Sequence, residues 1–138
     1  YWQVKDWRGG LLDVEFLAQY LILRFAAEQP QIIDGNTAQA FEKLAMAGLI
    51  DAEQGAVLCE AVGTWRRLQA ILRLTLGNGK VDPENLPSDL KARILKVRGS
   101  QSFAEFEAEL YALSHRVHAI FVDMIETPAG QLHTTPDT

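Results

Sequence analysis

Two carboxylates near the start of the chain are the first side chains whose types and spacing could perform chemistry. Asp13 and Glu15 stand two residues apart in segment 8–16 (RGGLLDVEF), and the run that follows is almost wholly apolar. An Asp-x-Glu pair can hold metal ions in a nucleotidyl-transferring site when both side chains share one face, as residues two apart do on a β-strand. This run is too long and too rich in leucine and alanine for a strand, so we predict a helix and no catalytic or metal site here.

Rotation about a helix axis, at about 100° per residue, sorts the polar side chains of this segment into two groups. Asp13, Arg24 and Glu28 fall within about 60° of one another, on a narrow stripe that can face solvent. Asp13 also gains about 0.3–1 kcal/mol from the helix macrodipole in the first turn. Glu15 and Gln19 share the opposite side, where a core or an interface is expected.

The charge of Glu15 needs a partner, because burying an ionised side chain without one is costly. One candidate is internal, since Arg66, Gln69 and Arg73 flank the apolar face of the predicted third helix. The other is a domain outside this chain, whose surface Glu15 and Gln19 would meet. A polar network that spans both is a third arrangement, and the sequence leaves the choice open.

Gly9 and Gly10 directly precede the predicted first helix. Two glycines at a helix start can let backbone amides approach a phosphate. They can also form a tight turn with positive φ where the entering chain folds over the helix end. We prefer the turn.

The remaining residues that could perform chemistry have structural interpretations. Cys59, the one cysteine, lies in an apolar helical pattern and is predicted to be a small buried hydrophobe. His115 and His118 lie three apart on the predicted last helix, but no third Cys or His ligand is placed nearby, so we predict solvated histidines and no metal. No Ser-His-Asp or P-loop pattern is present.

Composition limits the class of protein. The 138 residues are 48% apolar, which suits one globular domain, and the net charge is -5 with the 13 Lys and Arg spread out. Nucleic acid and anionic membranes are therefore poor partners. With a single cysteine we predict a cytoplasmic protein. The chain starts at Tyr1 without an initiator methionine, which we interpret as a piece of a longer protein.

The apolar run 11–27 is long enough to raise the question of a membrane span. It is interrupted by four polar residues, Asp13, Glu15, Gln19 and Arg24. Each central charge would cost about 2.5–3.5 kcal/mol in a bilayer, so we predict a core helix of a soluble fold.

Apolar residues recur at helical spacing through most of the chain, and no run alternates as a strand would. We predict an all-α fold, a bundle of about five helices with near-antiparallel packing. The helices are expected over about 11–29, 36–48, 51–76, 88–98 and from Ser102 to about Met124. One domain is predicted over 1–126, and a flexible, disordered tail over 127–138, which has too little apolar content to order itself.

Local signals predict where these helices begin and end. Three pairs match the capping arrangement of two polar residues three apart: Asn36 with Gln39, Asp51 with Gln54 and Ser102 with Glu105. The predicted stops are Pro30, Gly48, segment 77–79 (GNG) and Gly99.

Segment 8–24 (RGGLLDVEFLAQYLILR), with Val4-Lys5 before it, resembles the Gly-Gly-x-x-Asp-Ile-Glu-Phe-x-x-Gln-Tyr motif of the glutamine synthetase adenylyltransferases, also called glutamate–ammonia-ligase adenylyltransferases. Asn36-Thr37, segment 45–50 (AMAGLI) and segment 65–69 (WRRLQ) are similar to that family's next helices in the same order. The resemblance covers about residues 4–125.

The resemblance implies a duplicated protein in which each half is a nucleotidyltransferase domain followed by a helical domain. One half would remove AMP from a tyrosine of glutamine synthetase by phosphorolysis, and the other would attach AMP from ATP with magnesium. The Asp13 variant of the motif and the tail soon after Ile125 resemble the final helical domain, which is attached to the adenylylating half.

The family's catalytic signature is a Gly-Ser followed by an Asp-x-Asp on a β-sheet, and this chain has Gly99-Ser100 without the Asp-x-Asp. The chain alone is therefore expected to be inactive and to carry no catalytic residue, metal or cofactor of its own.

The resemblance instead implies an interface with the upstream nucleotidyltransferase domain, at or near Gly9, Gly10, Asp13, Glu15 and Gln19. Glutamine synthetase, the PII signal protein and glutamine are the partners implied for the whole enzyme. A stand-alone helical regulatory module that binds a small effector such as glutamine is the alternative.

Overall fold

The computed structural model describes residues 9–76 and 87–126, and every regular element in these ranges is helical. Five α-helices follow one another: α1 (Leu11–Phe25), α2 (Thr37–Met46), α3 (Ala52–Leu76), α4 (Ser88–Lys96) and α5 (Phe103–Phe121). A 3-10 turn (Pro30–Ile32) follows α1, and a π-helical turn (Val122–Glu126) continues α5. The prediction of an all-α bundle of about five helices is confirmed. The predicted break at 77–79 and the predicted tail at 127–138 lie outside the described residues.

The first helix ends earlier than the sequence suggested. We predicted a helix to Gln29, but α1 ends at Phe25 and the chain leaves helical geometry at Gln29 (φ -134, ψ 68). Proline explains this end, because Pro30 disfavours helical geometry in the residue before it. The 3-10 turn that Pro30 begins carries Ile32 into the core, where the side chain is fully buried, although we had predicted only a connecting loop.

The predicted cap of α2 is half confirmed. The Asn36 side-chain oxygen accepts a hydrogen bond from the Gln39 backbone N–H at 3.0 Å. The Asn36 N–H, however, donates to Asp34 at 2.8 Å and not to Gln39. Asp34 also pairs with Lys43 at 2.9 Å, and its pKa is lowered by the Asn36 backbone hydrogen bond and by Lys43. The start of α2 is therefore held by two polar side chains, those of Asp34 and Asn36.

The caps of α3 and α5 also use one half each of the predicted arrangement. The Asp51 N–H donates to the Gln54 side chain at 3.1 Å, and the Ser102 hydroxyl accepts from the Glu105 N–H at 3.1 Å. The Glu105 carboxylate accepts from the Gln101 N–H at 3.2 Å, one residue earlier than predicted. Both helices start where the sequence placed them.

The long helix α3 is the centre of the bundle and contacts each of the other four helices. Trp65 in its middle is fully buried and is among the largest side chains of the core, together with Phe41 of α2 and Phe106 of α5. Burial of aromatic side chains of this size supplies a large share of the hydrophobic free energy of folding.

Contacts along neighbouring helices give their directions. Cys59 on α3 donates to the Ala38 carbonyl of α2, and Gly55, one turn earlier on α3, approaches Ala45, about two turns later on α2. The order of the two contacts reverses between the helices, so α2 and α3 run antiparallel. Helices α1 and α5 run in the same direction, as the first and fifth helices of an alternating bundle do. Within 9–76 and 87–126, no helix combines the length and apolar content needed to cross a membrane.

Arg98, just after α4, ties the last two helices to α3. Its guanidinium donates to Glu60 at 2.7 Å and to the buried Thr64 hydroxyl at 3.1 Å, both on α3. It also donates to Glu109 of α5 at 3.0 Å, and the Ser100 hydroxyl donates to the same carboxylate at 3.0 Å. One cation therefore joins α3, α4 and α5.

The charge of Glu109 makes this junction sensitive to acid. Burial acts to raise the pKa of the Glu109 carboxyl, but hydrogen bonds from Arg98 and Ser100, with the Arg98 charge, outweigh it and lower the pKa below its ordinary value. A depressed pKa contributes stability that is fully present above the unfolded pKa, about 4.3 for Glu, and is lost as pH falls through the folded value.

We expect Glu109→Gln to reduce the free energy of unfolding at pH 7 by about 1–3 kcal/mol, because it removes hydrogen bonds between charged groups. The difference from the wild type should shrink as pH falls from about 4.3, the unfolded value, through the lowered pKa of folded Glu109, where the wild-type carboxylate becomes protonated as well. Urea unfolding at neutral and acid pH measures both values. Glu107→Gln on the same helix is the control and should cause a small, constant change. A Glu109→Gln deficit that does not vary with pH would contradict the prediction.

Candidate interface site on the first helix

Gly9 is the residue at which α1 is fixed to the rest of the bundle. Its φ is +74°, and a side-chain carbon added to it would lie 2.1 Å from the Ser114 carbonyl oxygen of α5. Its own carbonyl accepts a hydrogen bond from the buried Trp65 indole N–H of α3 at 3.0 Å. Its N–H donates to the Asp13 carboxylate at 2.7 Å. Gly9 thereby contacts α3 and α5 through its own backbone atoms alone.

This geometry favours the structural interpretation of the two glycines. Gly9 adopts the positive φ that the turn requires, and Gly10 is the helix N-cap residue with extended geometry and no side-chain cap. A phosphate site would need free amides at the helix start. The Gly9 amide is already occupied by Asp13.

Asp13 is not the purely solvent-facing carboxylate that rotation about the helix suggested. Its side chain is half-buried and turns back to the Gly9 N–H, which lies four residues earlier. The carboxylate at the third helical position reaches back to the entering chain, as the acidic residue of a capping box does, but it accepts from the residue before the N-cap Gly10.

Glu15 and Gln19 remain without an internal partner among the described residues. Glu15 is half-buried and makes no hydrogen bond or ion pair with residues 9–76 or 87–126, and Gln19 is exposed. The Arg66 guanidinium, proposed as a partner, donates instead to the Thr37 hydroxyl at 3.1 Å. Arg73 is exposed. The arrangement therefore leaves the Glu15 charge open toward whatever lies beyond α1.

A second apolar face lies on the outside of α1. The core face consists of five buried residues, Leu11, Val14, Leu17, Ala18 and Leu21. On the outside, Leu12 is 46% exposed, Phe16 56% and Leu23 81%. At about 100° per residue these three and Gln19 fall within an arc of about 60°, with Glu15 about 40° beyond Gln19. We call these five residues the outer face of α1.

The outer face continues onto α5 through an aromatic contact. The rings of Phe16 and Phe121 lie 6.1 Å apart between centroids with a tilt of 37°. This contact is seven residues along both helices from the approach of Gly9 to Ser114, which shows that α1 and α5 run side by side in the same direction. Exposed apolar side chains that lie together on one face of a protein mark an interaction surface. The outer face of α1 is thus the part of the surface that most resembles an interface.

The other candidate residues are structural. Burial raises the pKa of the Cys59 thiol, with a smaller contribution from Glu42, so this thiol is a poor nucleophile. His115 is exposed as predicted, but His118 is half-buried and its Nδ1 is buried without a hydrogen-bond partner, which corrects our expectation of a solvated side chain. No group of three or more potential ligands within the described ranges could hold a metal ion.

Sequence reasoning missed two parts of this site. The contributions of Ser114 and Trp65 are long-range and leave no local pattern, although the paired glycines before a helix were a signal that backbone approaches something closely. The outer face could have been found, because Leu12, Phe16 and Leu23 recur at helical spacing outside the core stripe.

We expect Gly9→Ala to reduce the free energy of unfolding by at least about 3 kcal/mol, because the new methyl group overlaps the Ser114 carbonyl and the shift needed also weakens the Trp65 hydrogen bond. Gly48→Ala is the matched control. Gly48 has φ +76° and open space within 4 Å of the added carbon, so it should cost only about 1–2 kcal/mol of backbone strain. Denaturant unfolding measures both, and equal losses would show that the approach to Ser114 is unimportant.

Comparison with known proteins assigns a family. The profile described as GlnD PII-uridylyltransferase matches residues 2–125. The chain is 34% identical to the bifunctional glutamine synthetase adenylyltransferase/adenylyl-removing enzyme of Xanthobacter autotrophicus over 93% of its length. It is 29% identical to the enzyme of the same name from Bradyrhizobium diazoefficiens over 91% of its length, and 32% identical to that of Rhodopseudomonas palustris over 90%.

The match covers a small part of these relatives. The chain spans 13% of the length of the first two and 12% of the third. No solved structure matches it. Because the family profile covers nearly the whole chain, including the glycine turn and the outer face of α1, this protein belongs to the GlnD PII-uridylyltransferase family.

Proposed function

We propose that this chain is a helical accessory domain of a glutamine synthetase adenylyltransferase/adenylyl-removing enzyme, and that the outer face of α1 packs against the catalytic nucleotidyltransferase domain. The observation that carries the proposal is the second apolar face of α1. Three large side chains on it are between 46 and 81% exposed, next to the Glu15 carboxylate, which has no hydrogen bond or ion pair within 9–76 and 87–126. Most of the length of the relatives lies outside the region matched here, so there is ample chain to cover this face.

The chain's own residues support an accessory role. Gly99, at the end of α4, has φ +69°, and the Ser100 hydroxyl binds Glu109, so the Gly-Ser pair ends a helix and tethers α5. In the described ranges it is followed by neither a strand nor a cluster of metal ligands. On this proposal ATP and magnesium bind to the catalytic domain, and the isolated chain is inactive.

On this proposal the enzyme transfers AMP from ATP to a tyrosine of glutamine synthetase and removes it by phosphorolysis. The names of the relatives support the two activities, adenylyl transfer to glutamine synthetase and adenylyl removal. We place this chain in the final helical domain, attached to the adenylylating half. Glutamine and the PII signal protein are the proposed regulators of the whole enzyme. The helical domain would act on the reaction by fixing the position of the catalytic domain.

We expect Leu23→Lys in the full-length enzyme to lower the rate of adenylyl transfer to glutamine synthetase by about tenfold or more, because it puts a charge into an apolar interface. Met46→Lys is the matched control. Leu23 and Met46 are 81 and 87% exposed, and each lies in the last turn of its helix, so the lysine meets the same helix dipole in both.

Met46→Lys should change the rate by no more than about twofold, since it is an ordinary surface substitution. Steady-state transfer assays on both variants, with thermal unfolding to confirm that each is folded, give the comparison. Equal rates for the two variants would exclude the outer face of α1 as a functional interface.

A further inference from the structure

We propose that the surface covering the outer face of α1 is mainly apolar and carries one basic side chain, an arginine or lysine, that pairs with Glu15. The inference rests on the proposed function, in which the catalytic domain is the covering partner. It adds the chemistry that this partner must present. Four observations carry it: the position of Glu15, its lack of a partner, the distribution of the chain's own cations, and the apolar residues around it.

Glu15 lies at the margin of the outer face and not away from it. It is one residue from Phe16, three from Leu12 and four from Gln19, and positions three and four apart are neighbours on a helix surface. It is already half-buried by its own domain. A partner that covers Leu12 and Phe16 therefore removes water from the Glu15 carboxylate as well.

The other carboxylate of the motif is already satisfied. Asp13 accepts from the Gly9 N–H at 2.7 Å, within its own helix start. Glu15 makes no such bond to any residue in the described ranges. With respect to the part of the chain that the structure describes, Glu15 keeps its full capacity to accept hydrogen bonds from outside, whereas Asp13 does not.

Three cations in the described ranges are already bound to other groups. Arg66 donates to Thr37, Arg98 is bound by Glu60 and Glu109, and Lys43 pairs with Asp34. None of them lies within 4.0 Å of Glu15. Because no ion pair of the described residues includes Glu15, we assign its positive charge to the partner.

Desolvation makes the charge pairing necessary. An unpaired carboxylate that loses water in an apolar interface is strongly unfavourable, whereas a carboxylate with a bidentate arginine keeps its hydrogen bonds. The exposed Gln19 amide, on the same face, can donate to and accept from polar groups beside that cation. An apolar surface with a single cation also disfavours wrong docking orientations, because any other register leaves Glu15 unpaired.

The test uses the full-length enzyme with Glu15→Gln and Glu107→Gln. Both glutamates are the fifth residue of their helices and half-buried, and neither has a hydrogen bond or ion pair in the described ranges, so helix position and burial are matched. We expect Glu15→Gln to lower the rate of adenylyl transfer about tenfold or more and Glu107→Gln to leave it within about twofold.

A charge reversal identifies the cation. In a Glu15→Lys background, each arginine and lysine of the catalytic domain is changed in turn to glutamate. One of these changes should raise the rate of adenylyl transfer at least about tenfold above that of Glu15→Lys alone. Thermal unfolding of every variant separates this specific recovery from a general effect on folding. A structural role of Glu15 within its own domain would not produce rescue by a residue of another domain.

Each outcome bears on a different claim. A normal rate for Glu15→Gln, with Leu23→Lys still impaired, overturns the ion pair and leaves the proposed interface intact. Rescue by Arg66→Glu or Arg73→Glu also overturns it, because the pair would then be internal. Normal rates for both Glu15→Gln and Leu23→Lys overturn the proposed function itself. Rescue between two copies of the enzyme would make the rate per enzyme molecule depend on enzyme concentration. That result assigns the outer face to self-association and also overturns the proposal.

Discussion

The approach of the Gly9 backbone to the Ser114 carbonyl leaves no room for a side chain, and the rest of the bundle is arranged around this contact. The Gly9 carbonyl accepts the Trp65 indole N–H at the same place, so one peptide unit is held by α3 and α5 together. Backbone contacts cannot be repacked by choosing another rotamer, unlike contacts between side chains. The entry of α1 is therefore rigid, and the direction in which its outer face points is set by the core.

Local signals in the sequence predicted the helices well, because a helix start depends on residues three or four positions apart. Asn36 and Ser102 cap α2 and α5 as expected. The end of α1 was predicted too late, since α1 ends one turn before Pro30 and apolar periodicity alone does not show where a helix stops. Each capping pair forms only one half of the predicted arrangement, and at α2 the Asn36 N–H donates to Asp34 in place of Gln39.

The site was harder to predict, because its geometry depends on contacts between distant parts of the chain. Rotation about the helix axis correctly separated Asp13 from Glu15, but it could not show that Asp13 would turn back to Gly9. It also could not show that Arg66 would donate to Thr37 and not pair with Glu15. Pairings of this kind are decided by helix packing, which periodicity does not specify.

The Trp65 hydrogen bond to Gly9 spans 56 residues, and the Ser114 contact spans a longer stretch still. During synthesis, α1 can contact the 3-10 turn and α2 soon after it is made, but the two contacts that fix Gly9 form only after α3 and α5 have followed. Until then the start of α1 is not held in place. A protein domain already folded ahead of it would be the earliest shelter for its outer face.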